Sequence, residues 1–103
     1  RLEHRIAGAD ANPYLVLAAI FAGMLEGLER EINPPPPIVR NAYDEPAQRL
    51  PDTMAEAVRL FERSEFVRRA MGVEYRSLFA HLKKAEIAAF RDEVTPLERA
   101  TYL

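Results

Sequence analysis

Between Tyr14 and Leu25 the chain reads Tyr-Leu-Val-Leu-Ala-Ala-Ile-Phe-Ala-Gly-Met-Leu, twelve residues with no charged side chain and no polar face. Asn12-Pro13 stands directly before it. An Asn side chain can accept from an amide that the first helical turn leaves unpaired, and Pro at the first helical position has no amide to leave over. These signals predict a helix starting at Pro13 and continuing to Ile32. A helix that is apolar on every side has to be covered on every side. A bilayer is not the cover, because a membrane-spanning helix needs roughly 20 apolar residues. The expectation is a buried protein helix over 13–32, and it constrains the fold more than any other feature.

The apolar stretch Tyr14–Leu25 also includes Gly23, and Gly27 follows one turn later; each costs about 1 kcal/mol relative to Ala in a helix interior. Close approach of a neighbouring backbone would account for them. The last turns, with Glu26, Glu29, Arg30 and Glu31, return to water.

Ahead of the helix, residues 1–6 alternate strictly. Arg1, Glu3 and Arg5 fall on one side, and Leu2, His4 and Ile6 on the other, which is the period-two pattern of a strand. The opening Arg-Leu-Glu-His-Arg has neither the apolar core nor the small-residue cleavage site of a signal peptide. The first residue is not Met, and a piece of a longer protein is expected.

After the first helix, Asn33 to Asp52 contains Pro34 to Pro37, Pro46 and Pro51. It reads as a stiff, extended connector over 33–52, because Pro fixes its own φ and lacks the amide a helix needs. The tetraproline run has the spacing of a Pro-rich recognition motif, but a rigid connector is sufficient explanation. From residue 53 onward the signals are helical. Thr53-Met-Ala-Glu56 is a capping box, followed by Met54, Ala57, Val58 and Phe61 at helical spacing to about Arg63. Ser64 restarts a short helix that Gly72 can end. A longer helix then carries Tyr75, Leu78, Phe79, Leu82, Ala89 and Phe90 on one stripe, and Thr95-Pro96-Leu97-Glu98 caps a last turn. The aromatic members of that stripe read as packing, and Arg68-Arg69 and Lys83-Lys84 as solvated faces. The fold expected of residues 1–103 is therefore mainly α: one short strand followed by four or five helices, the last group over 53–103.

Composition narrows the function classes. The chain has 103 residues, the size of one compact unit, and 14 Lys and Arg against 16 Asp and Glu give a net charge of -2. That balance offers no broad attraction to nucleic acid or to an anionic membrane, so any functional charge is local. There is no cysteine, which excludes disulfides and thiolate chemistry and makes a reducing, cytoplasmic setting the expectation.

The stretch RLEHRIAGADANPYLVLAAIFAGMLEGLE resembles the carboxy-terminal part of the glutamine synthetase superfamily, in which an Arg-x-Glu-x-Arg strand leads into an Asn-Pro-Tyr-Leu helix. The form Glu-His-Arg-Ile-Ala-Gly-Ala-Asp, in place of the Phe-Pro-Asp type of ending common in ammonia-using members, most resembles the gamma-glutamylpolyamine (gamma-glutamylputrescine) synthetase branch. The tail AMGVEYRSLFAHLKKAEIAAFRDEVTPLE is similar to the closing helices of that family. The resemblance covers the whole chain, but only about the last quarter of a typical member. It implies the helical C-terminal part of an α+β catalytic domain.

It further implies a ligase. ATP would phosphorylate the side-chain carboxylate of glutamate, and putrescine, another polyamine or ammonia would displace the phosphate from the gamma-glutamyl phosphate. The resemblance also implies Mg2+ or Mn2+ in a site shared between subunits of a homo-oligomeric ring, a dodecamer in the expected parent. By the same resemblance Glu3 matches a metal-binding Glu, and a hard oxygen ligand suits Mg2+ or Mn2+ beside phosphates. Arg5 matches the catalytic Arg that meets the glutamate or the phosphoryl group in transfer, where a planar guanidinium can bind two oxygens. Arg1 matches a position near the ATP phosphates. Without the resemblance, Glu3 reads as a surface carboxylate paired with Arg1 or Arg5, a contact worth about 0–1 kcal/mol; the resemblance is what reverses that reading.

Alternation would set the three side chains on one side, successive pairs about 7 Å apart. His4 then faces the opposite way, and no second carboxylate precedes Asp10, so most metal ligands must come from elsewhere. His4 and His81 read as structural. Tyr43 falls near the loop position of a regulatory, nucleotide-modified Tyr in some bacterial glutamine synthetases; such modification is not expected of the polyamine branch. Two other readings stand beside the amine ligase: glutamine synthetase proper using ammonia, and a non-catalytic helical packing or oligomerisation module. The isolated 103 residues are expected to be inactive.

Overall fold

A computed structural model of the chain describes residues 2–44 and 49–102. They comprise five α-helices and one 3₁₀ turn: α1 (Pro13–Glu29), the turn Ala42–Asp44, α2 (Met54–Arg63), α3 (Glu65–Met71), α4 (Val73–Asp92) and α5 (Pro96–Tyr102). The chain divides into two compact units, residues 1–46 and 47–103.

In the first unit α1 begins as its sequence dictates. The Asn12 side chain accepts from the amides of Tyr14 at 3.0 Å and Leu15 at 3.3 Å, and Pro13 occupies the first position. Its end differs from expectation, at Glu29 rather than Ile32. The Ile32 amide donates to the Gly27 carbonyl at 3.0 Å and the Glu31 amide to that of Leu28 at 3.3 Å. This is the paired-bond stop that usually carries a left-handed glycine, yet Glu31 holds the position at φ 49°. Pro34 supplies the reason, since the residue before a proline is disfavoured in helical conformation and the chain must leave the helix ahead of Asn33.

The expected strand over 1–6 is corrected. Residues 2–5 carry no regular secondary structure, and a bend begins at Ile6. Alternation is a property of one segment, whereas a strand is defined by amide and carbonyl bonds to a second one, and the described residues supply no such partner. The expected full burial of 13–32 is not seen either. None of the α1 residues is buried, and Tyr14 is 82% exposed. Nor does a neighbouring backbone explain Gly23 and Gly27, for a Cβ added to either would meet nothing within 4 Å. In the Pro-rich connector, residues 45–48 lie outside the described set; the rest is non-helical apart from the short turn at Ala42–Asp44.

The second unit is built from local stop and start signals. Thr53 Oγ1 accepts from the Glu56 amide at 3.2 Å to open α2, and Ser64 Oγ accepts from the Val67 amide at 3.2 Å to open α3. Gly72, at φ 87°, closes α3 through its amide to the Arg68 carbonyl and opens α4 by accepting from the Arg76 amide. Thr95 and Glu98 form a reciprocal capping box at α5: the Glu98 amide donates to Thr95 Oγ1 at 3.2 Å, and the Thr95 amide donates to the Glu98 carboxylate at 2.8 Å.

The core of this unit lies where α4 crosses α2 and α3. Val58, Val67 and Ala80 are buried, Ala80 to 1% exposure. Around them Phe79 meets Phe61 with ring centroids 5.1 Å apart and stacks on Tyr75 at 5.6 Å. The packed face of α4 is therefore Tyr75, Phe79, Ala80 and Ile87, with Leu78, Leu82 and Phe90 facing outward. The stripe expected from the sequence mixed two faces of the same helix; the face bearing the small Ala80 is the one that lets α4 lie against α2. Lys84 is more than a solvated cation, donating to both carboxylate oxygens of Glu62 on α2 at 2.7 Å. Lys83 sits over the Phe79 ring at 5.5 Å.

Candidate functional site

The sequence places the chemistry in residues 1–5, and Arg1 lies outside the described residues. In the remaining segment the alternate residues 2, 4 and 6 share a groove with α1. Leu2, His4 and Ile6 line an open groove together with Val16, Ala19, Ile20 and Met24 of α1. A turn closed by the Ala11 amide on the Gly8 carbonyl at 3.2 Å then connects the segment to the Asn12 cap. Space in that turn is limited: a Cβ on Gly8 would lie 2.6 Å from the Asp10 carboxylate. The apolar side chains border the same groove as α1, and the two charged ones meet each other.

Glu3 and Arg5 form an ion pair, with Arg5 Nε donating to Glu3 Oε1 at 2.6 Å and the Nη2 group also engaging that oxygen. The Arg5 side chain is 84% exposed and that of Glu3 47%. An exposed pair of this kind contributes at most about 1 kcal/mol, so a phosphate or a cation can draw its members apart at small cost. A carboxylate and a guanidinium held side by side offer one hard oxygen donor for a divalent ion and one planar donor for carboxylate or phosphoryl oxygens.

The described residues do not complete a metal site. No three of their His, Asp or Glu side chains gather closely enough to hold an ion, whereas Mg2+ takes six oxygens. Glu3 fits as one ligand of such a shell and no more. His4 lines the groove with Leu2 and Ile6. Tyr43 is 97% exposed in its 3₁₀ turn, where Asn41 Oδ1 accepts from its amide at 3.2 Å.

Away from this segment the electrostatics are those of a packed helical surface. Hydrogen bonding from Lys84 holds the Glu62 carboxyl below the usual glutamate range, that from Arg68 does the same for Glu65, and the Thr95 amide and hydroxyl do so for Glu98. Arg76 of α4 reaches the Ser64 carbonyl at 3.4 Å and ties down the α2–α3 joint. No helix among the described residues is long and apolar enough to cross a membrane.

The glutamine synthetase catalytic-domain profile matches residues 1–102. This chain belongs to the glutamine synthetase catalytic-domain family. Similar proteins include a gamma-glutamylputrescine synthetase of Escherichia coli, 36% identical over 95% of this chain and 21% of that protein. A glutamate–isopropylamine ligase of a Pseudomonas species is 40% identical over 100% of the chain and 23% of its own length. A glutamine synthetase of Thermus thermophilus is 33% identical over 100% of the chain and 25% of its own length. The chain thus spans a quarter or less of the curated relatives it matches. No solved structure matches.

Proposed function

We propose that this chain is the carboxy-terminal part of the catalytic domain of an ATP-dependent glutamate–amine ligase, acting on putrescine or a similar amine. Its catalytic contribution is confined to residues 1–5. The observation that carries the reading is the exposed pairing of Glu3 with Arg5, within the region matched by the family profile.

In this reading the glutamate side-chain carboxylate attacks the γ-phosphorus of ATP, and ADP leaves. The amine nitrogen then attacks the acyl carbon of the gamma-glutamyl phosphate, phosphate leaves, and the nitrogen gives up a proton. Arg5 binds oxygens of the glutamate or of the transferring phosphoryl group and offsets their charge, which counts most in the transition state. By the family resemblance, Arg1 would serve the ATP phosphates. Glu3 supplies one ligand to Mg2+ or Mn2+, and the ion, when bound, neutralises phosphate charge. The remaining ligands come from outside this chain, in a cytoplasmic, ring-shaped homo-oligomer.

The amine assignment draws on the identities of 36% and 40% to ligases named for putrescine and isopropylamine. The identity of 33% to a glutamine synthetase keeps ammonia as the second reading. ADP release by the full-length protein with glutamate plus putrescine, spermidine, ethanolamine or ammonia separates them. Preference for an alkylamine is expected, and preference for ammonia would overturn the assignment.

A further inference from the structure

We draw no further inference here: the strongest candidate, the open apolar groove between residues 2–7 and the Val16–Ile20–Met24 face of α1, is an unpartnered surface, and nothing in the structure shows what covers it.

Discussion

Among the described residues, 1–46 hold the most apolar helix and no buried side chain, whereas 47–103 hold more polar helices and all three buried ones, Val58, Val67 and Ala80. Burial here follows pattern rather than hydrophobicity. An amphipathic helix presents one stripe that a single neighbour can cover, so α2, α3 and α4 satisfy one another. A helix apolar all round asks for cover from every direction, and one adjoining extended segment reaches only the Val16, Ile20 and Met24 side of α1.

If the first unit serves chemistry and the second serves packing, substitutions should separate the two. The largest effect is expected at Arg5 in the full-length protein. Arg5→Ala should lower kcat/KM for amine ligation by about 10²–10³-fold, the usual loss when one transition-state donor is removed. Melting should shift by no more than about 0.5 kcal/mol, because the side chain is solvated. Glu3→Ala should behave alike, with its loss greatest at limiting Mg2+. Turnover unchanged at limiting Mg2+ would remove Glu3 from the site.

A stability contrast sharpens the same comparison in the 103-residue chain. Val58→Ser places a hydroxyl in the α2–α4 core and opens a small cavity, so unfolding should become easier by about 2 kcal/mol. Phe21→Ser, made in the helix with far more apolar surface, should change unfolding by less than about 0.5 kcal/mol. With α1 left exposed, the 103-residue chain is expected to self-associate, and Phe21→Ser should weaken that association in sedimentation, since Phe21 is 60% exposed. Equal destabilisation by the two would mean that α1 is buried within the single chain. Next in size is Gly72→Ala. Space is not the obstacle, for a Cβ there meets nothing within 4 Å, but φ is 87°. The strain should cost about 1–2 kcal/mol in thermal unfolding.

Acid gives the mildest test. Glu62, Glu65 and Glu98 have lowered folded-state pKa values. Their contribution is therefore complete above the ordinary glutamate value of 4.5 and is lost as pH falls through the lowered values. Far-UV ellipticity should hold from neutrality to that point and decline only below it. Glu62→Gln should remove part of the acid dependence and leave the neutral spectrum unchanged.

Legibility in the sequence tracked how local each cause is. Asn12-Pro13, Thr53, Ser64, Gly72 and Thr95-Glu98 all act within one turn, and the helices begin where those residues say. The end of α1 escaped because a glutamate fills a position that glycine usually marks, leaving only Pro34 as a warning. The strand escaped for the opposite reason: its alternation is local, but its definition needs a second segment. The choice of face on α4 depended on which partner arrived, and only Ala80 hinted at it. At the candidate site, the alternation separated Leu2, His4 and Ile6, which border the groove along α1, from Glu3 and Arg5, which pair with each other, and the family resemblance alone suggested what Glu3 and Arg5 do. The other metal ligands were not legible, since among the described residues no three His, Asp or Glu side chains gather to hold an ion.

Ser64 and Gly72 each end one helix and start the next, so α2, α3 and α4 follow one another without spare residues. One residue added or lost at either joint turns the following helix by about 100°. Phe79 would swing off Phe61, and Ala80 would leave its buried position. The Pro-rich connector can absorb a change in length; these two joints cannot. Among homologous chains, length variation should therefore collect between residues 33 and 52 and be absent from the interval that runs from Thr53 to Asp92.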